Sequence, residues 1–203
     1  MRLDTLVLVG QFAPFHNGHL ALLHRALDRA DRVIVLMGSA GRARNSRHPW
    51  TAPEREQMLR AAVSAESGRI QVKPLRDHLY NENAWITAVQ AAVREALGAD
   101  ASSSRRVGLV GGPEHTGVDY LRAFPQWPRE EVAPLPCLRA EDLRANFLDG
   151  SDEGMATVRA HVPPGVADFL MTFREESPAY PALVEERRFI ERYRQGWEGA
   201  PYP

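Results

Sequence analysis

The stretch Leu6-Val7-Leu8-Val9-Gly10-Gln11-Phe12-Ala13-Pro14-Phe15-His16-Asn17-Gly18-His19 decides how this chain folds. It begins with four consecutive apolar residues, which is the pattern of a strand buried on both faces of a parallel sheet. Gly10 ends the run, and beyond Gly18 apolar residues recur at helical spacing. The stretch therefore predicts a first strand, a tight connection and a first helix, with His16 and His19 where that helix begins.

The same alternation of strand and helix continues for about four rounds along the chain. Thr51, Pro53 and Glu54 form a capping-box pattern that predicts the start of the second helix. The alternation favours a Rossmann-like α/β fold, a doubly wound parallel sheet that binds ligands at the C-terminal ends of its strands. The predicted strands are 6–9, 33–37, 70–75, 107–110 and a weak one near 132–135, and the predicted helices are 18–30, 51 onward, 82–97 and about 118–124.

Strands are not predicted beyond residue 135, where the patterns at 140–148, 165–173 and 185–197 are helical. We expect residues 1–150 to form the sheet domain. Residues 151–203 are expected to form a helical extension packed on it, and 199–203 resemble a linker.

The overall composition gives no sign of a nucleic-acid or membrane partner. The 203 residues carry 25 Lys and Arg against 26 Asp and Glu, for a net charge of −1. The first apolar run is too short to span a bilayer and has no signal-peptide cleavage pattern. The single cysteine, Cys137, excludes an intrachain disulfide. The cytoplasm is the expected location.

His16 and His19 are the residues most suggestive of chemistry. They lie where backbone N–H groups and the helix dipole favour a phosphate, and Gly18 between them lets a phosphate approach the backbone. Both imidazoles can donate hydrogen bonds to phosphate oxygens. A histidine pair can also be half of a metal site or plain surface, but the nearby sequence offers few further zinc-type ligands, so no protein metal site is predicted.

The motif His16-Asn17-Gly18-His19 after the first strand resembles the His-x-Gly-His signature of a nucleotidyltransferase superfamily. Longer matches are similar to nicotinamide-mononucleotide adenylyltransferases, especially those forming the N-terminal half of bifunctional adenylyltransferase/Nudix hydrolases. These matches are Pro14 to His19, Gly38-Ser39, Arg47 to Arg55, Asn83-x-Trp85, Phe124 to Trp127, Asp142 to Arg144 and the aromatic residues from Tyr180 onward.

The resemblance implies adenylyl transfer from ATP, bound with Mg²⁺, to nicotinamide mononucleotide, giving NAD and pyrophosphate. The catalytic residues it implies are His16, His19, Arg47 and Arg144. The ATP-binding residues it implies are Gly10, Gln11, Phe12, Gly18, Gly111 and Arg139. Gly38, Ser39, Asn83 and Trp85 are implied to bind the nicotinamide nucleotide.

The chain departs from the family pattern at Gln11, where arginine is usual, at Glu114, where lysine is usual, and around Glu141, where hydroxyl residues are usual. Two alternatives stay open on this account: a nucleotidyltransferase with another substrate, and a weakened domain that senses pyridine nucleotide. The acceptance of nicotinic acid mononucleotide, a homo-oligomeric state and a Nudix domain fused after residue 203 also stay open.

Overall fold

The structure is a computed structural model that describes residues 2–98, 106–111, 120–132 and 138–197. Its strands are β1 (Leu3–Gly10), β2 (Ala30–Met37), β3 (Ile70–Pro74), β4 (Val107–Gly111) and β5 (Arg129–Glu131). Its α-helices are α1 (Asn17–Arg29), α2 (Ala52–Ala62), α3 (Glu82–Leu97), α4 (Ala140–Leu148), α5 (Asp152–His161), α6 (Pro164–Glu176) and α7 (Ala179–Trp197). Short 3₁₀ helices cover Ser64–Arg69 and Tyr120–Ala123.

The five strands form one parallel sheet in the order β3-β2-β1-β4-β5. β1 lies at its centre and pairs with β2 along its whole length, from Leu3 opposite Ala30 to Gly10 opposite Met37. From β1 the chain adds β2 and β3 on one side of the sheet and then β4 and β5 on the other. Doubly wound sheets bind ligands in the crevice at such a switch point, which here lies between β1 and β4. The predicted Rossmann-like fold is confirmed.

Side chains of β1 alternate between the two faces of the sheet. Leu6 and Leu8 join one buried cluster with α1, α2 and α4 to α7, whereas Val7 joins a second cluster with α3 and Phe124. This alternation is why the strand reads as a continuous apolar run, since both of its faces are covered. The faces also separate the helices, so α3 alone among the α-helices packs against the second cluster in the described chain.

The C-terminal helices continue the first cluster without a break. Phe147 of α4 packs between Trp50 at 5.3 Å and Tyr180 at 5.1 Å, measured between ring centroids. The Tyr180 hydroxyl donates to the carbonyl of Phe147 at 2.9 Å, which satisfies its polar end inside the core. Within the described ranges, no helix has both the length and the apolar character needed to cross a bilayer.

Several elements differ from the sequence-based expectation. β1, β2 and α7 begin earlier than expected, at Leu3, Ala30 and Ala179 rather than at 6, 33 and 185. β5 covers Arg129–Glu131, and its pairing with β4 is set by the register of Leu109 opposite Arg129. Of the weak strand expected near 132–135, the structure describes only Val132, which lies just after β5. α5 was not predicted from the sequence, and it carries Gly154 in its first turn. A side chain there would collide with the carbonyl of Asn146, so the close approach of α4 requires the glycine.

Several sequence-based expectations fall outside the described residues. These include Glu114, Cys137, the linker at 199–203 and the first two residues of the helix expected near 118–124. The described part of that last segment forms the 3₁₀ helix Tyr120–Ala123.

Candidate active site

The C-terminal ends of β1, β2 and β3 are joined by backbone hydrogen bonds. The N–H of Gly38 donates to the carbonyl of Gly10 at 2.8 Å, and the N–H of Ala40 donates to the carbonyl of Leu75 at 3.0 Å. The loops that leave these strands are therefore held side by side. The loops after β1 and β2 carry six of the predicted site residues: Gln11, Phe12, His16, Gly38, Ser39 and Arg47.

His16 and His19 cap the start of α1 for each other. Nδ1 of His16 accepts from the backbone N–H of Gly18 at 3.1 Å and of His19 at 3.4 Å. Nδ1 of His19 accepts from the backbone N–H of His16 at 3.3 Å, and the ring centroids are 3.6 Å apart. Since each Nδ1 is an acceptor, the proton of each neutral ring lies on Nε2. The pair thus sets two N–H donors away from the backbone of α1.

This arrangement refines the expectation for Gly18. The backbone N–H groups of Gly18 and His19 are used by the ring of His16, so the imidazoles, rather than these two N–H groups, are the donors that the start of α1 offers to a phosphate. His16 is 5% exposed and His19 is half-buried, so His19 is the more accessible of the two rings.

Phe12 shapes the loop after β1 through packing. Its backbone is in the left-handed region at φ 52°, and its buried ring folds back over Gly10, where an added Cβ would lie 2.8 Å from the ring. The edge of the His19 ring contacts the Phe12 ring at a centroid distance of 4.9 Å. Because the ring is buried, only the backbone of Phe12 could make the predicted contact with ATP. The ring also leaves no room for a side chain at residue 10, so this packing requires Gly10.

Gln11 connects the loop after β1 to the loop after β2. Its Nε2 donates to the hydroxyl of Ser39 at 3.1 Å. Gln11 was predicted to bind ATP and Ser39 to bind the nicotinamide nucleotide, so the contact joins the two predicted halves of the site.

Asp77, which belongs to none of the predicted site motifs, anchors the same region. It accepts from the backbone N–H and the hydroxyl of Ser39, each at 3.1 Å, and from Nε of Arg42 at 2.8 Å. Burial raises the pKa of Asp77, but the hydrogen bonds from Arg42 and Ser39 outweigh it and the net pKa lies below its ordinary value. Its position after β3 was the only signal in the sequence that could have pointed to it.

The loop between β2 and α2 presents Arg47. Asn45 stiffens this loop by accepting from the backbone N–H groups of Arg47 at 3.0 Å and His48 at 2.8 Å through its side-chain oxygen. The Arg47 side chain is exposed and, within the described ranges, makes no hydrogen bond or ion pair. A rigid loop with an unpaired guanidinium suits the predicted role as a phosphate clamp.

Arg144 reaches the same area from α4. Its Nη1 donates to the carbonyl of Ala13 at 2.5 Å, which ties α4 to the loop that precedes His16. Burial lowers the pKa of Arg144, and the positive charge of Arg47 lowers it further. These two predicted phosphate ligands therefore lie within electrostatic range of each other.

His48 marks the centre of this positive region. Burial lowers its pKa, and the charges of Arg42, Arg47 and Arg144 lower it further, which outweighs the opposing effect of Asp77. Arg42 is already paired with Asp77 at 2.8 Å, so Arg47 and Arg144 are the charges on this side of the site that a polyphosphate would neutralise.

Arg139 stands apart from this group. Its side chain is 75% exposed at the start of α4 and pairs with Asp142 at 3.4 Å. The side chain is not held toward the loop of β1 in the way that Arg144 is. Its predicted contact with ATP stays a prediction.

Trp85 and Asn83 lie in the first turns of α3, which follows β3. The Trp85 ring is half-buried and packs against Phe124 at a centroid distance of 5.8 Å, while Asn83 is exposed. Phe124 therefore holds the Trp85 ring in place while part of the ring stays exposed, and a side chain that stacks on a ligand ring needs both properties. Gly111 ends β4 beside β1, and the residues that follow it lie outside the described chain.

Within the described ranges, no group of three histidine, cysteine or acidic side chains lies close enough together to hold a metal ion. Asp77 is already bound by Arg42 and Ser39, and Asp142 is paired with Arg139.

Comparison with known proteins identifies the family. Residues 7–94 match the cytidylyltransferase-like family. A nicotinamide/nicotinic acid mononucleotide adenylyltransferase of Acinetobacter baylyi is 32% identical over 92% of this chain and 95% of its own length. The chain belongs to this adenylyltransferase family. A nicotinamide-nucleotide adenylyltransferase of Haloarcula marismortui is also similar to it, at 28% identity over 95% of this chain and 93% of its own.

A solved structure agrees with this adenylyltransferase assignment over nearly the whole chain. The bifunctional NMN adenylyltransferase/ADP ribose pyrophosphatase of Francisella tularensis, crystallised with AMP and a manganese ion, superposes with a TM-score of 0.85 at 25% identity. The match covers 98% of this chain and 57% of that protein, which is accordingly longer.

Proposed function

We propose that this protein transfers the adenylyl group of ATP to nicotinamide mononucleotide, forming NAD and releasing pyrophosphate. The observation that carries the proposal is the stacked pair His16 and His19, fixed at the start of α1 beside the positive region of Arg47 and Arg144. Family membership supports the same reaction, because the relatives carry names for this activity.

The proposed reaction needs little acid–base chemistry from the protein. The 5′-phosphate of the mononucleotide attacks the α-phosphorus of ATP, the bond to the bridging oxygen breaks, and pyrophosphate leaves with the electron pair. A phosphate monoester is already anionic near neutral pH. The protein therefore contributes orientation and stabilisation of negative charge.

The residues divide this task by position. The Nε2–H groups of His16 and His19 donate to oxygens on the reacting phosphate, where negative charge builds up in the transition state. Arg47 and Arg144 neutralise the departing pyrophosphate. Trp85 stacks on the nicotinamide ring, and Asn83 hydrogen-bonds its carboxamide.

A divalent metal fits this site as part of the nucleotide substrate. The predicted ligands are imidazole and guanidinium donors, and Asp77 is already engaged, so the side chains near the phosphates offer few oxygen ligands to a hard cation. Mg²⁺ would enter bound to the phosphates of ATP. The manganese ion in the Francisella tularensis structure supports the use of a divalent metal.

The test combines purified protein with ATP, Mg²⁺ and nicotinamide mononucleotide, and measures NAD by chromatography together with released pyrophosphate. We expect the two products in equal amounts. A parallel reaction with nicotinic acid mononucleotide establishes which acceptor is preferred. If NAD does not form but NAD raises the melting temperature, the protein is a sensor; if neither nicotinamide nucleotide binds, it acts on another substrate.

A further inference from the structure

A buried arginine that takes no part in the proposed chemistry lies beneath the site. Arg55, the fourth residue of α2, is 3% exposed. Its Nη1 donates to the carbonyls of Gln11 at 2.5 Å and Gly38 at 2.8 Å, and its Nη2 donates to the carbonyl of Ser39 at 3.4 Å. One guanidinium therefore connects the loop after β1 with the loop after β2.

The charge of Arg55 is not paired with a carboxylate at contact distance in the described parts of the chain. Its Nε is also buried without a hydrogen-bond partner there. Burial lowers the pKa of Arg55, and the more distant Asp77 partly offsets that effect. Burying a cation without a counter-ion is costly, and an apolar side chain of similar size would fill the space without this cost. Packing alone does not explain an arginine here.

The three carbonyls belong to loops with unfavourable backbone conformations. Phe12, which follows Gln11, has φ 52°, and Ser39 has φ 54°. Residues other than glycine hold such angles only where their surroundings determine them. Arg55 fixes the carbonyl next to Phe12 and the carbonyl of Ser39 itself, so it acts at the two points where the loops depart from relaxed geometry.

We infer that Arg55 is a positioning residue that locks the loop at 10–16, which carries the histidine pair, to the loop at 38–40, which faces the nicotinamide nucleotide. The inference rests on the proposed function and deepens it. The guanidinium sets the separation of the two loops, and hence the distance between the attacking phosphate and the α-phosphorus. Lysine keeps the charge, but its single nitrogen cannot reproduce the planar fork that spans the three carbonyls.

Arg69 offers a matched control. It also donates to three backbone carbonyls, those of Leu27 at 2.6 Å, Ala30 at 2.7 Å and Asp31 at 3.0 Å. The carbonyls of Ala30 and Asp31 lie at the start of β2 and that of Leu27 lies in the last turn of α1, whereas the loops of the site follow the other end of β2. Replacing Arg69 therefore removes a comparable set of bonds without touching either loop.

The experiment compares Arg55→Lys with Arg69→Met. For each variant, kcat and the KM of both substrates are measured at a temperature well below its own melting midpoint, where the unfolded fraction is negligible. A displacement of the reacting groups by about 1 Å lowers the rate by roughly a hundredfold, so we expect kcat/KM of Arg55→Lys to fall by about tenfold to a hundredfold. Arg69→Met should stay within about twofold of the wild type in kcat/KM despite a lower melting temperature.

Two results would overturn the inference. One is an Arg55→Lys protein with wild-type kinetic constants. The other is an Arg55→Lys protein that does not fold while Arg69→Met does, which would assign Arg55 to stability alone. If the wild type itself makes no NAD, the proposed function fails. Calorimetric titration of NAD into the same variants then tests the positioning role of Arg55 separately. Unchanged NAD affinity in Arg55→Lys would contradict that role.

Discussion

His19 serves the local fold and the proposed chemistry through different ring atoms. Nδ1 accepts from the backbone of His16, which helps to begin α1, and Nε2–H lies on the other side of the ring. A histidine in this position cannot be replaced by a residue that offers only one of these groups without loss. Loss of the Nε2–H donor should therefore appear in the catalytic rate, and loss of the Nδ1 cap in the free energy of unfolding.

We expect His19→Ala to lower kcat by at least about tenfold, since removing one hydrogen-bond donor from a developing oxyanion costs two to three orders of magnitude in other enzymes. The lost cap should lower the free energy of unfolding by only about 1 kcal/mol. Steady-state rates and denaturant melts measure the two effects. His24→Ala, an exposed histidine on the same helix, is the control and should change neither.

Trp85 offers a second test at the level of one side chain. We expect Trp85→Leu to raise the KM for nicotinamide mononucleotide by about fivefold to tenfold, in line with the worth of an aromatic stack, and to leave the KM for ATP unchanged. Trp127→Leu is the control, because Trp127 also stacks on Phe124, at 5.1 Å, but lines a cleft with Leu3 and Arg106 at the other end of β1. Equal effects in both variants would remove Trp85 from the acceptor site.

At the scale of elements, the loop that presents Arg47 is held from three directions. Arg44 donates to the carbonyl of Pro49 at 2.5 Å and to Glu54 of α2 at 2.9 Å, and its guanidinium lies 5.4 Å from the ring centre of Phe173 in α6. The buried Ser46 donates its backbone N–H to the carboxylate of Glu186 in α7 at 3.0 Å. The last helix of the fold therefore helps to position a predicted phosphate ligand.

We expect Glu186→Ala to lower kcat/KM for ATP by about fivefold, the equivalent of one hydrogen bond of about 1 kcal/mol. Glu186→Gln should retain most of the activity, because its amide oxygen still accepts from Ser46. The neighbouring, exposed Glu185→Ala is the matched control and should behave as the wild type. Steady-state kinetics at varied ATP distinguish these outcomes, and a wild-type rate in Glu186→Ala would show that the Arg47 loop is ordered without α7.

The sequence predicts elements better than it predicts the contacts between them. The bounds of α3 and α4 are confirmed because their apolar spacing and turn residues are local. α5 is not predicted, and the need for glycine at Gly154 follows only from the close approach of α4. Asp77 and Arg55 are missed as site residues for the same reason, since their partners lie 38 and 44 positions away along the chain. The motif around His16 predicts the location of the site, but the capping role of both rings follows from the geometry.

At the scale of the whole molecule, the first core cluster extends from β1 to α7. It includes Leu6 and Val35 of the sheet together with Met155, Leu170 and Leu183 of the C-terminal helices. Residues 1–150 and 151–203 therefore contribute side chains to the same buried cluster. We expect the two parts to share one hydrophobic core and not to fold as separate units.

We predict that a protein ending at residue 150 does not fold cooperatively, because it would expose the face of the core that α5, α6 and α7 cover. Circular dichroism during heating should lack the single sharp transition of the full chain, and size-exclusion chromatography should show aggregates. A soluble 1–150 fragment with a sharp melting transition would mean that the sheet domain is independent of the extension.

The central strand of the sheet is synthesised well before α7, the helix that completes its apolar cover with Leu183 and Val184. Until α7 has been synthesised, the nascent sheet therefore exposes apolar surface, which favours association with other chains. We therefore expect translation speed and the supply of chaperones to influence how much native protein a cell recovers.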